Sequence, residues 1–248
     1  MNNQEIELQK ASMYDLLACY YKYLDPTKHI HYYQLHLDHL RKALSAPSTT
    51  EIQRQQKMAN VRILHAAPDL SSVDVYINAQ KVLKHISFKQ ASTYLTLPSG
   101  KYHIDIYPAD TSVTTVISKK VTIEPGKNYT LAAVGQGEKL QLLPFADIPG
   151  VPPNEAKIRF IHLSPDTPAL DIAVKGRDVV FPDVAYKQAT EYLGITPMTV
   201  ELEARRAGNK EAILPFPIMK FKPNRSYTIV AAGLANGEPG LEIILLKN

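Results

Sequence analysis

The sequence predicts a mainly β protein: two tandem antiparallel Ig-like β-sandwich domains preceded by an N-terminal α-helical hairpin. Three observations predict it. "VRILHAAPDLSSVDVYI" at 61–77 returns as "IRFIHLSPDTPALDIAV" at 158–174 (158 − 61 = 97), and "EPGKNYTLAAVG" at 124–135 returns as "KPNRSYTIVAAG" at 222–233 (222 − 124 = 98). Within each copy, apolar residues alternate with the period of two expected of half-buried strands. The first 46 residues have no counterpart in the repeat and space their apolar residues as a helix does.

In chain order, residues 1–46 come first. In "EIELQKASMYDLLACYYKYL", Ile6, Met13, Leu16, Leu17, Tyr20 and Leu24 recur at helical spacing until Asp25-Pro26 breaks the run. Asp25 can cap a second helix with Pro26 at its first position, where the missing N–H costs nothing. On that helix Ile30, Tyr33, Leu37, Leu40 and Leu44 form one stripe. Two helices of this length lack a core of their own and need a partner, either the first sandwich or the same hairpin of another chain. Self-association has the better claim, because the sandwiches look complete without the helices. Leu16, Leu17, Tyr20, Tyr33, Leu37 and Leu40 are the expected contact residues.

A linker at 47–60 leads into the first repeat, 61–147. In "VDVYI", Val73, Val75 and Ile77 point one way and Asp74 and Tyr76 the other. Strand-like runs follow at "YHIDIYP", "TTVISKKVTI", "NYTLAAVG" and "LQLLPF", separated by turn signals such as "LPSGK" and "EPGKN". A Pro-rich linker at 148–156, within "DIPGVPPNEA", separates this copy from the second, 157–248. It is too short to let the copies move far apart, so they are expected to touch or keep a fixed relation. Short strands at this spacing argue for sandwiches.

Composition excludes several classes. The 28 basic and 24 acidic residues leave a formal charge of +4, without a Lys/Arg run, so no nucleic-acid partner is suggested. Cys19 is the single cysteine, so no intramolecular disulfide forms and zinc-module spacings are absent. No stretch has the roughly 18 apolar residues of a membrane span, and the polar, acidic N-terminus is unlike a signal peptide. Cytoplasmic synthesis is expected, with deposition on a spore surface as one destination.

The motif "VRxxHxxPDxxxVDVYI", followed by "YLTLPSGKYHIDIYPA" and "PGKNYTLAAVG", resembles domain-of-unknown-function family 4397. The resemblance implies β-sandwich domains, often in tandem and usually on secreted or surface proteins of bacteria and archaea. It implies no catalytic mechanism. The second copy departs from it at "ITPMTVELEARRAGNKEA", where the "LPSGKY" turn is lost. The helical leader "YDLLACYYKYLDPTKHIHYYQLHL" resembles those of sporulating Firmicutes.

Each candidate site has a structural counterpart. His29, His36 and His39 fall on one side of the second helix, in reach of a shared metal, or form a solvated polar face. His65 and His162 end the first strand of each copy, each shortly before a Pro-Asp. A buried imidazole there would pin the turn; with Asp69 or Asp166 it would make an acid/base pair. Presence in both copies and the lack of a nucleophile favour the structural role. Arg62 with Asp74, and Arg159 with Asp171, are expected on the outer faces of neighbouring strands as exposed ion pairs. Lys89, Gln90, Lys187 and Gln188 belong to the echo "FKQASTYL"/"YKQATEYL", with Tyr94 and Tyr192 packing below. "GQGE" and "GLANGEPG" lead into no helix, so they are not phosphate loops.

These features predict a non-enzymatic structural or assembly protein without a cofactor, a homo-oligomer that displays two sandwiches. The alternative is a binding module for a glycan or protein ligand, using sandwich loops such as "ARRAGNK" at 204–210. A hydrolase or metal-dependent enzyme comes last.

Overall fold

The computed structural model describes residues 3–45, 57–111 and 113–248. The chain divides into two compact units, one ending at Lys57 and the other running from Met58 to Asn248. Most of the expected 47–60 linker, residues 46–56, lies outside the described residues.

The first unit is a helical hairpin of α1 (Asn3–Tyr21) and α2 (Pro26–Ser45). Asp25 caps α2, its Oδ1 accepting the N–H groups of Thr27 at 3.1 Å and Lys28 at 3.2 Å. The helices meet along a heptad-spaced seam, with Ala11, Tyr14, Ala18 and Tyr21 on α1 facing His29, Tyr32, His36 and His39 on α2. Ala11, Ala18 and Ala43 are buried, which lets the backbones approach closely. The stripe of Ile30, Tyr33, Leu37 and Leu44 lies one residue further round and is exposed, as are Leu16 and Tyr20 of α1.

The second unit contains both repeats. The first supplies β1 (Met58–His65), β2 (Ser72–Ile77), β3 (Gln80–Ser87), β4 (Leu95–Pro98), β5 (Gly100–Pro108), β6 (Ile117–Ile123), β7 (Asn128–Val134) and β8 (Gln141–Asp147). The second supplies β9 (Ala156–His162), β10 (Leu170–Val174), β11 (Val179–Val184), β12 (Leu193–Ile195), β13 (Met198–Val200), β14 (Leu202–Arg206), β15 (Ala212–Pro215), β16 (Met219–Phe221), β17 (Arg225–Ala232) and β18 (Glu242–Lys247). Sheets β4-β1-β7-β8 and β3-β2-β5-β6 form one sandwich; β12-β9-β17-β18 and β11-β10-β14-β15 form the other, with β13-β16 as a small extra sheet. Pairing is antiparallel except for β1 with β7 and β9 with β17, which run parallel.

Each sandwich has its own core. Val61, Ile63, Val75, Ile106 and Leu131 fill the first, and Ile158, Phe160, Ile172, Phe221 and Ile229 the second. A third apolar layer lies between the copies: Leu64, Ala132 and Val134 of the first pack with Ile161, Val230 and Leu246 of the second. The four main sheets are therefore stacked in four layers, and β1 and β9 are buried on both faces. The copies are fused through this layer, which accounts for their fixed relation.

The sequence reading of Arg62 and Arg159 needs correction here. Alternation puts them opposite Val61 and Ile63, but that face meets the other sandwich instead of solvent, and each arginine is only 4% exposed. The expected pairs with Asp74 and Asp171 do not form, because β1 and β2 lie in different sheets, as do β9 and β10.

Candidate functional site

The polar centre of the β unit lies in the layer between the sandwiches. Arg62 donates from Nε to Thr130 Oγ1 at 2.8 Å, from Nη1 to the Lys247 carbonyl at 2.8 Å, and from Nη2 to Asn248 Oδ1. Arg159 repeats the pattern in reverse, from Nε to Thr228 Oγ1 at 3.0 Å, from Nη1 to the Ala146 carbonyl at 2.6 Å, and from Nη2 to Asp147 Oδ1. Each arginine is held through Nε in its own copy and reaches with Nη1 and Nη2 to the end of the last strand of the other. Tyr94 lies 4.8 Å from the Arg62 guanidinium and Tyr192 lies 4.7 Å from that of Arg159, each presenting its ring face. The Tyr94 hydroxyl donates to Asp147 Oδ2 at 2.7 Å, and the Tyr192 hydroxyl accepts from Asn248 Nδ2 at 2.9 Å. Burial, and then the Asp147 charge, push the Tyr94 phenol well above its ordinary range. Among the described residues, no buried side-chain polar atom lacks a partner.

The echo at 88–95 and 186–193 builds this arrangement. Lys89 and Lys187 take positive φ, and the carbonyls of Gln90 and Gln188 accept the N–H groups of His65 and His162. Ser92 and Thr190 accept the N–H groups of Ile63 and Phe160 through their hydroxyls, each at 3.0 Å. This ties the segment to the first strand and sets Tyr94 or Tyr192 over the arginine.

His65 and His162 are fully buried. Nε2 of His65 lies 2.9 Å from the Leu70 carbonyl and its Nδ1 accepts the Ala67 N–H at 3.4 Å; His162 does the same with Pro168 and Ser164. These partners fix the neutral Nε2–H tautomer. Burial holds the His65 pKa down to about 4 and lowers that of His162 as well. The structure does not bring these rings together with Asp69 or Asp166. Asp69 accepts the Gly137 N–H, and Asp166 the N–H groups of Ala235 and Asn236, fastening the turns after β7 and β17. Asp74 and Asp171 accept the N–H groups of His85 and Asp183, both at positive φ, and so hold the bulges of β3 and β11.

On the hairpin, His29, His36 and His39 all face α1, each with Nδ1 engaged: His29 with the Ala18 carbonyl at 2.8 Å, His36 with the Ala11 carbonyl at 3.0 Å, and His39 with Glu7 at 2.6 Å. Among the described residues, no three His, Cys, Asp or Glu side chains are placed to hold a metal, and neither helix is long and apolar enough to cross a membrane.

A cleft of 680 Å³ opens where the copies meet. It is lined by Asp69 and the Gly135–Lys139 turn of the first copy and by Pro165, Tyr186 and Lys187 of the second.

The sequence model described as "Domain of unknown function (DUF4397)" matches residues 59–173 and 156–248. The chain belongs to the DUF4397 family. No curated protein matches it. The DUF4397 pair is similar to several solved structures at low identity. The C-terminal domain of AlgF from P. aeruginosa is 17% identical over 38% of this chain and 99% of its own, with a TM-score of 0.27. The Bacillus anthracis TIE protein is 12% identical over 72% of this chain and 34% of its own, with a TM-score of 0.25. A family CBM26 module of Eubacterium rectale Amy13K, solved with maltoheptaose, is 10% identical over 76% of this chain and 97% of its own, with a TM-score of 0.23.

Sequence reasoning missed the acceptors of the two DUF4397 arginines. Thr130 and Thr228 were legible as the repeated "YT" of "NYTLAAVG" and "SYTIVAAG". Asp147 and Asn248 differ between the copies and carry no repeat signal.

Proposed function

We propose that this protein is a non-enzymatic assembly protein that self-associates through its helical hairpin and carries a rigid pair of DUF4397 sandwiches. A bacterial spore or cell surface is the setting its helical leader suggests. The observation that carries the reading is the rotation of the α1–α2 seam. The helices join through Ala, His and Tyr, and leave Leu16 at 72%, Tyr20 at 65%, Tyr33 at 48% and Leu37 at 40% exposure. Leu17 and Leu40, also expected at the contact, are half-buried. Apolar side chains left outside a seam that is already complete form the surface a second hairpin can cover. The β unit supports a displaying role, since Arg62, Arg159 and Asp147 hold its two sandwiches together as one body.

Light scattering on the full chain, beside a variant lacking residues 1–46, tests this. An oligomer for the full chain and a folded monomer for the truncated one support the reading. Monomers in both cases reject it.

A further inference from the structure

The duplication supplies an internal comparison for the cleft between the sandwiches. Exchanging the roles of the two copies relates Asp69, Pro165, Tyr186 and Lys187 to Asp166, Pro68, Phe88 and Lys89. Gln141, opposite Val134 on β7, corresponds to Glu242, opposite Ala232 on β17. On the Phe88 side the lysine is taken, because Lys89 Nζ lies 2.6 Å from Glu242 Oε1. On the Tyr186 side the position that corresponds to Glu242 in the strand register is an amide, Gln141. Among the described residues the Lys187 ammonium has no carboxylate partner and rests over the Tyr186 ring, 4.8 Å from its centroid. The hydroxyl that distinguishes Tyr186 from Phe88 likewise has no protein hydrogen bond, although the side chain is half-buried. Both differences leave a donor in the same cleft without a protein hydrogen-bond acceptor among the described residues.

The rest of the lining narrows the ligand. Asp69 is engaged by the Gly137 N–H. Lys139 and Lys187 are balanced by Asp69 and Glu138, which disfavours a phosphate or polyanion and suits a ligand with one carboxylate and several hydroxyls. The 680 Å³ volume falls within the roughly 300–1,000 Å³ typical of small-molecule sites. We propose that this cleft binds an acidic saccharide, with its carboxylate against the Lys187 ammonium and the Tyr186 hydroxyl and its ring hydroxyls against the Gln136–Lys139 turn. The proposal adds a binding role for the β unit to the assembly role of the hairpin.

The test is calorimetric titration of the full chain with disaccharides of galacturonate and glucuronate, with their methyl esters, and with N-acetylneuraminate. At least one free acid is expected to bind saturably, and esterification to weaken that binding about tenfold or more. Tyr186→Phe, which copies Phe88, and Gln141→Glu, which offers Lys187 the partner that Lys89 has, should each weaken it by about tenfold with thermal unfolding unchanged. Glu242→Gln should leave it intact. No saturable binding by any of the acids overturns the proposal. Equal binding of acid and ester, or binding indifferent to both cleft variants, overturns the carboxylate site while a saccharide-binding role for the β unit stands.

Discussion

Arg159 and Asp147 form a buried ion pair that joins the two sandwiches, and Arg62 approaches the same carboxylate, its Nη2 3.7 Å from Asp147 Oδ2. Two guanidiniums thus share one carboxylate, because the matching position in the second copy is Asn248. The arrangement is costly to break from one side, since a buried charge left alone loses its partner without regaining water.

Asp147→Asn is therefore expected to lower stability by about 3 kcal/mol or more, read from urea unfolding of the full chain. The double variant Asp147→Asn, Asn248→Asp moves the carboxylate to the equivalent socket. It should recover most of that loss. A double variant as unstable as the single one would show that the position of the charge matters more than its presence.

The two buried histidines set an acid limit. The folded state holds His65 neutral down to about pH 4, whereas in the unfolded chain it titrates near 6.5; His162 is shifted in the same direction. Between those values the unfolded chain binds more protons, so stability is complete above about pH 6.5 and falls as the pH drops toward 4. His65 alone accounts for on the order of 3 kcal/mol over that range. Unfolding measured from pH 7 to 4 should show the slope, and His65→Gln with His162→Gln should flatten it.

Glycine is required at two equivalent turns. Gly135 and Gly233 both have φ of 102°, and a Cβ on either would sit 2.2 Å from a backbone oxygen, of Lys139 or Gly240. Alanine at either is expected to cost about 3 kcal/mol. Gly126, at φ of 70° with nothing within 4 Å of the added atom, should lose only about 1 kcal/mol as alanine. Chemical unfolding of the three variants makes the comparison.

The hairpin predicts a separation of folding from association. Ala18 is 1% exposed at the helix seam, so Ala18→Leu should force the helices apart and reduce helical circular dichroism. Leu16→Glu with Leu37→Glu should keep helicity and abolish oligomers. Oligomers that survive the glutamates with helicity intact would place the contact elsewhere.

Architecture was legible to the extent that it depended on local period. The duplication, the strand alternation and the Asp25-Pro26 helix start all follow from near-neighbour rules that the chain repeats. Two things were not. Period two shows that Arg62 faces away from Val61, but cannot tell solvent from a second sandwich, so the inter-copy layer was invisible. The apolar stripe of α2 was readable, but the seam follows the adjacent stripe of His29, Tyr32, His36 and His39, which tertiary packing selects because Ala11 and Ala18 make room opposite. The cleft depended on comparing two copies in space, and Gln141 and Glu242 align only after the longer second turn is allowed for.

The reciprocal arginine sockets also order events during synthesis. Arg62 precedes its carbonyl acceptor by 185 residues, an interval of roughly ten to forty seconds at 5–20 residues per second. Through that time the first sandwich can close its own core and hold Arg62 against Thr130 and Asp147, yet the arginine's Nη1 waits for the Lys247 carbonyl beside the bare apolar face of Leu64, Ala132 and Val134. The nascent chain is most exposed to wrong partners after its first sandwich has folded and before β18 arrives to complete the joint.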